Sequence, residues 1–230
     1  MKNQNKTNNS IEILCIGTEL LLGNITNSNA RWLAEEFSDL GLNHYRQTVI
    51  GDNFERLKNT ILEISRRSRF LITTGGLGPT QDDITTETIA SAFNKDLIER
   101  KEIWQDIQTK LTRSGKIVAY NNKKQAYFPS EAIIIPNPNG TAPGMIWSPI
   151  EDFTILTFPG VPNELKAMWT KTAVDWFKKN IKNKQILTSR ILKLTGISES
   201  SLAEEIDDLI SNKNPTIAPY ASLGAVKLRL

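Results

Sequence analysis

Residues Phe70-Leu71-Ile72-Thr73-Thr74-Gly75-Gly76-Leu77-Gly78-Pro79-Thr80-Gln81-Asp82-Asp83 read as a short apolar strand giving way to a glycine-rich loop that ends in two acids. A helix is expected from about Ile84. Three glycines let the backbone take positive φ and approach a ligand closely. Their N–H groups can form a nest, and the following helix adds the positive end of its dipole. That combination suits an anion such as phosphate. Ligands of open α/β sheets lie at such carboxyl ends of strands, so this stretch points to the fold class and to the place of a site together.

Working outward, short apolar runs alternate with helix-period segments, the pattern of βαβ units around a mostly parallel sheet. Ile11–Ile16 reads as a first strand. Ala30, Leu33, Ala34, Phe37 and Leu40 then put one apolar face on a helix that Asn27 or Ser28 can cap and Gly41 can end. His44–Ile50 is a second strand, and a helix starting near Asp52 or Asn53 carries Phe54, Leu57, Ile61 and Ile64 into the central strand. Downstream come a polar helical stretch from Arg100 to Arg113, the strand AIIIP, the loop Asn137–Gly144, strands around GMIW and FTILTF, the loop Phe158–Glu164 and an amphipathic helix with Leu165, Met168, Trp169 and Trp176. After Asn180 a lysine-rich link precedes a smaller βαββ unit over 185–230. It stops on a strand-like run, so an incomplete second unit is expected.

The loop is not a Walker A motif, because no Gly-Lys-Ser/Thr follows, and it lacks the GxGxxG dinucleotide pattern. A kinase or dehydrogenase is disfavoured. Asp82 or Asp83 alone is explained by helix capping, but two adjacent carboxylates beside a phosphate cradle suit a hard divalent cation that bridges phosphate oxygens. Asp52 ends the preceding strand at the same sheet edge, with capping of its own helix as the alternative. Gly17–Gly23, with Glu19, follows the first strand and reads equally as a turn with packed leucines. The Gly/Pro loops at Asn137–Gly144 and Phe158–Glu164 could converge on that edge, although rigid turn chemistry also explains them.

Bulk properties narrow the class. The 28 Lys and Arg against 25 Asp and Glu are interspersed, and the net charge of +3 does not imply nucleic acid. The single cysteine, Cys15, excludes a disulfide framework within one chain and fits a reducing, cytoplasmic compartment. Residues 1–10 are rich in Asn and Lys and read as a disordered tail, neither signal nor anchor. His44, the one histidine, sits inside a strand, so a histidine base is not at hand.

Taken together, GTELLLGNITNSNARWL, GGLGPTQDD, NPNGTAPG and FPGVPNE resemble the N-terminal part of the CinA competence/damage-inducible family. The resemblance implies a three-layer α/β domain of molybdopterin-binding type over 11–180, followed by a KH-like unit over 185–230. It further implies ADP-ribose pyrophosphatase activity with a divalent metal, Mg or Co, and potassium. Many members also carry a C-terminal nicotinamide-mononucleotide deamidase domain, which nothing in this sequence matches. Related molybdopterin enzymes have Gly-Gly-Thr-Gly followed by Arg-Asp, so Asp83 matches the functional aspartate, while Leu77 and Asp82 stand where Thr and Arg would be. The change removes a cation that could hold a pterin phosphate. Asp52 matches a second acidic position, and Asn27 stands where the family often has Asp.

The expected function is metal-dependent hydrolysis of ADP-ribose, or a similar nucleoside diphosphate sugar, to AMP and ribose 5-phosphate. Asp83 and Asp52 are the expected catalytic residues, and Asp82 and Asp83 the metal ligands. Gly75, Gly76, Gly78, Thr80, Asn139, Gly140, Thr141 and Gly160 are expected to bind phosphate and nucleotide. The rival expectation is a non-catalytic nucleotide- or molybdopterin-binding module. A nucleotide-like small molecule is the expected partner, with a homodimer as the family's implication and no membrane.

Overall fold

The structure is a computed structural model that describes residues 9–181 and 190–230. The chain divides into two compact units, 1–186 and 187–230. The first runs β1 (Ser10–Ile16), α1 (Thr18–Leu21), α2 (Ser28–Leu40), β2 (Asn43–Ile50), α3 (Phe54–Arg67), β3 (Phe70–Thr74), α4 (Thr85–Ala92), β4 (Leu97–Glu99), α5 (Lys101–Arg113), β5 (Tyr127–Pro129), β6 (Ile133–Ile135), β7 (Gly144–Ile150), β8 (Phe153–Phe158), α6 (Pro162–Met168) and α7 (Val174–Asn180). A 3₁₀ segment, Tyr120–Ala126, precedes β5, and a π turn, Trp169–Ala173, joins α6 to α7.

Six strands form the main sheet in the order β2-β1-β3-β8-β7-β6. The four from β2 to β8 are parallel, and β7 and β6 add an antiparallel edge. Burial on both faces explains why β1 and β3 read as mainly apolar runs, with Glu12 the one charged residue in them, rather than as alternating ones. Side-chain alternation sends Ile11, Ile13, Cys15, Phe70 and Ile72 to one face, where Leu33, Phe37, Met168, Trp169 and Phe177 of the α2 and α6–α7 layer cover them. Leu14, Ile16 and Leu71 go to the other, under Leu57, Ile61, Ile64 and Ile89 of α3 and α4. The result is the three-layer fold expected. Each fully buried Ile or Leu stabilises it by about 1.5–3 kcal/mol relative to exposure.

Local signals work as read: the Asn27 side chain accepts from Ala30 N at the start of α2, and Gly41 ends it with φ of 69°. Asn53, not Asp52, caps α3 by accepting from Arg56 N. Trp169 is core, with its indole N–H donating to Glu36 at 2.9 Å. The expected tail to residue 10 is corrected at its end. Ser10 already belongs to β1 and Asn9 is buried, because β1 must extend to meet β2, where Ser10 pairs with Asn43. Residues 1–8 lie outside the described residues, as does the lysine-rich link at 182–189. β4 and β5, a two-stranded antiparallel ribbon, are additional to the elements read from the sequence.

The second unit keeps the expected βαββ order with its helical part in two segments: β9 (Ile191–Leu194), α8 (Glu199–Glu205), α9 (Asp207–Ile210), β10 (Ala218–Ser222) and β11 (Ala225–Arg229). Its antiparallel sheet has the order β10-β11-β9, with Leu202, Val226 and Leu228 buried between sheet and helix.

Candidate functional site

Strand register decides where the loops meet. Ile16 pairs with Ile50, Cys15 with Thr74, and Thr74 with Phe158, so four parallel strands finish at one edge. β7 runs the other way and therefore starts there, at Gly144. Five connections thus open onto the same place. Gly75 crosses between strand ends, its N–H donating to Phe158 O at 3.0 Å. With φ of 105° it sits so close to Ile16 that a Cβ would overlap the Ile16 carbonyl oxygen. Gly76, at φ of 65°, is pressed against Thr85, whose hydroxyl donates to Gly75 O at 2.9 Å. Only glycine fits these two positions.

A cleft of about 610 Å³ lies along this edge. It brings together Gly75, Gly76, Gly78, Asp82, Asp83 and Asp52 with Thr141 and Gly160 from the opposite loops. Glu19 and Glu164 also line it. Thr80, Asn139 and Gly140 do not, and each has a role in its own loop. Thr80 N donates to Asp83 Oδ2 at 2.9 Å, and the Thr80 hydroxyl faces both Asp82 Oδ1, at 2.5 Å, and Asp83 Oδ2. One hydroxyl proton cannot satisfy both carboxylates. The hydroxyl contact, with Lys124 nearby, holds the Asp82 carboxyl below its ordinary range. Neither acid makes a side-chain cap for α4, which begins after Ile84 without one.

Asp52 is engaged differently. Its Oδ2 accepts from Thr18 N and from Thr18 Oγ1, both at 2.9 Å, so it anchors the Gly17–Gly23 loop where α1 begins. On the opposite side Asn137, 1% exposed, organises its loop. Its Oδ1 accepts from Asn139 N and Gly140 N, and its Nδ2 donates to Ala142 O and to Glu164 Oε2 at 2.7 Å. Asn29, at the start of α2, donates to Thr74 Oγ1 and to Gly160 O, tying the Pro159–Val161 loop to β3. Asn137, Asn29 and Glu164 were not singled out from the sequence. A buried Asn within a Gly/Pro loop is the one usable signal, as an Asx turn.

Among the described residues, no three His, Cys, Asp or Glu side chains come together as a protein-only metal cage. Two adjacent carboxylates, Asp82 exposed and Asp83 half-buried, beside a phosphate cradle nevertheless fit the way Mg²⁺ is held, by one or two carboxylates with substrate phosphates and water. Cys15 and His44 stand apart from this chemistry: Cys15 is fully buried and exchanges hydrogen bonds with Asn27, and burial outweighs the His44–Arg46 contact to lower the imidazole pKa. Among the described residues, no helix is long and apolar enough to cross a membrane.

The architecture and the edge cleft define an α/β domain of molybdopterin-binding type, and residues 12–179 match the family model for a probable molybdopterin binding domain. Residues 189–230 match the model for the damage-inducible protein CinA KH domain. The chain belongs to the CinA-like family. It is 64% identical over 220 residues to a CinA-like protein of Prochlorococcus marinus strain MIT 9313, covering 96% of this chain and 51% of that one. A CinA-like protein of Synechococcus sp. strain CC9902 is 57% identical over 96% of this chain and 52% of its own length. The chain spans about half the length of the curated relatives it matches. Among solved structures, the protein CinA of unknown function from Thermoplasma acidophilum superposes with a TM-score of 0.66 and 27% identity, over 73% of this chain and 98% of that one. The molybdopterin biosynthesis enzyme MoaB from Thermus thermophilus, at 14% identity, covers 75% of this chain and 99% of its own with a TM-score of 0.50 and shares the fold alone.

Proposed function

We propose that this cleft hydrolyses the pyrophosphate bond of ADP-ribose, or of a similar nucleoside diphosphate sugar, with one water giving AMP and ribose 5-phosphate. The observation that supports it most is the meeting of Asp82, Asp83 and Asp52 with the glycine nest at one strand edge. In this reading Gly75, Gly76 and Gly78 let backbone N–H groups approach the phosphates. Asp82 and Asp83 hold a divalent cation, Mg²⁺ or Co²⁺, and Thr80 sets the direction of both carboxylates. A cation so held would neutralise phosphate charge and lower the pKa of a bound water. Asp52 keeps the Gly17–Gly23 loop in place at the wall of the cleft, while Thr141 and Gly160 close the far side. Potassium as a further activator, a homodimer and a cytoplasmic location belong to the same proposal. Comparison of potassium with sodium in the assay and sedimentation of the purified chain test the first two.

The deciding experiment incubates the chain with ADP-ribose, potassium and either metal, and follows AMP by chromatography. Asp83→Asn keeps an acceptor for Thr80 N and so keeps the loop, but it removes the charge. AMP release should fall by about 10²-fold or more. Full turnover in that variant would remove the mechanism, and tight nucleotide binding without turnover under either metal would leave a binding module.

A further inference from the structure

Five acids line the cleft, and four of them are engaged or folded back. Asp82 and Asp83 face the Thr80 hydroxyl, and Asp52 Oδ2 accepts twice from Thr18. The Glu19 carboxylate lies over Gly17, where a Cβ would overlap it. Glu164, half-buried in the first turn of α6, is held at one oxygen only. Its Oε2 accepts from Asn137 Nδ2 at 2.7 Å, and among the described residues no donor meets Oε1. Asn137 cannot turn away, because its amide also holds Asn139 N, Gly140 N and Ala142 O, and Lys110 Nζ donates to its carbonyl at 2.7 Å. Gly140 completes the seat. Its φ lies outside the left-handed region, so backbone conformation does not call for glycine there, but a Cβ would overlap the Glu164 carboxyl group. The loop is thus shaped around a carboxylate. On the other flank, a Cβ on Gly160 would lie 3.6 Å from the Gly75 Cα, so the turn that leads to Glu164 runs directly beside the glycine nest.

We propose that Glu164 is the general base of the cleft, taking the proton of the attacking water on Oε1. The proposal rests on reading the cleft as a hydrolytic phosphate site. In that reaction the water oxygen forms a bond to one phosphorus, the bridging P–O bond breaks, and its electron pair leaves on the other phosphate. The water proton needs an acceptor, and none of the groups given a role above takes it. A base needs a fixed direction and an oxygen that no other donor claims, and of the five acids Glu164 alone has both. A clip between loop and helix would need only one acceptor oxygen, which a glutamine supplies without charge. A further negative charge beside an anionic substrate opposes binding, so a carboxylate at this position is explained by its chemistry rather than by the clip.

The test measures kcat and KM for AMP release from ADP-ribose, with Mg²⁺ and potassium present, by the intact chain and by its Glu164→Gln variant. Glutamine still accepts from Asn137 Nδ2, so the loop and KM should hold while kcat falls about 10²- to 10⁴-fold. Glu164→Ala empties the seat beside Gly140. Added formate should then restore turnover in proportion to its concentration, and formamide, of similar size but uncharged, should not. If Glu164→Gln does not fold, Glu164→Asp takes its place: it keeps the charge but withdraws it by one methylene, and kcat should fall at unchanged KM. A Glu164→Gln kcat within about twofold of the unaltered chain, or a loss confined to KM, which marks lost ground-state binding, overturns the proposal and leaves hydrolysis in place. Equal rescue of a folded Glu164→Ala chain by formate and formamide, or by neither, does the same. No AMP from the unaltered chain removes hydrolysis and the base with it.

Discussion

Gly75 and Gly23 make a matched pair for asking how much of the glycine loop is geometry. Both have positive φ, at 105° and 72°. A Cβ on Gly23 meets nothing within 4 Å, whereas one on Gly75 meets the Ile16 backbone. Gly23→Ala therefore carries only the conformational penalty, about 1 kcal/mol. Gly75→Ala must also displace the end of β1, and at least about 2 kcal/mol is expected, with loss of AMP release. Thermal unfolding of the two variants checks this, and similar melting points would mean that the loop is not held as tightly as its contacts indicate. Thr80 offers a second test at this scale. Its hydroxyl helps to keep Asp82 ionised to lower pH. Thr80→Val should move the acid limb of the hydrolysis profile to higher pH, because the carboxylate would then take up a proton earlier on acidification. An unmoved limb would separate Asp82 from the reaction. The glycines and acids were legible in the sequence because residue type alone carries their chemistry. Asn137 and Asn29 were not, because each matters only through partners brought to it by folding: Glu164 is 27 residues from Asn137 and Thr74 is 45 from Asn29.

Elements differ in the same way. β1 and β3 were readable as buried strands because both faces are covered, and α2 and α3 because their apolar positions recur at helical spacing and their Asn caps sit where the run begins. β4 and β5 have three residues each, too few for any periodicity, and they exist because they pair with each other while β5 packs on α4. A polar feature inside β1 was equally hidden. Glu12 is buried mid-strand, and Arg67 at the end of α3 grips it with two hydrogen bonds of 2.7 and 2.8 Å while the Ser68 hydroxyl donates at 2.6 Å. Burial pushes the Glu12 pKa up, but the Arg67 and Ser68 hydrogen bonds outweigh it, and the net shift is downward. A lowered folded pKa means that this contribution to stability is fully present above the ordinary carboxylate pKa and is lost as pH falls through the folded value. Arg67→Met should cost about 3 kcal/mol near neutrality by stranding a buried carboxylate. The deficit should shrink on acidification, once Glu12 can be protonated in the variant's folded state. Urea unfolding at neutral and at acid pH reads both, and a deficit independent of pH would mean that Arg67 acts by packing alone.

For the whole molecule, the sequence showed two units of unequal size, and the family models divide it in nearly the same place. The motifs could show that several loops end strands, but not that five of them open on one edge. That depends on strand order, and the insertion of β3 between β1 and β8 is a non-local pairing that periodicity cannot reveal. The residues lining the cleft lie between Ile16 and Glu164, all inside the first unit. That unit has its own core on both sheet faces. The second unit buries Leu202, Val226 and Leu228 against a few partly covered neighbours, a core near the lower limit for independent folding at about 40 residues. A chain ending at Ile181 should therefore melt cooperatively and release AMP at a rate within about twofold of the intact chain. Residues 187–230 alone should give the circular dichroism of an unfolded peptide. Loss of turnover in the shorter chain, with its melting transition intact, would mean that the unit containing the cleft is not sufficient for catalysis even though it supplies every residue that lines it.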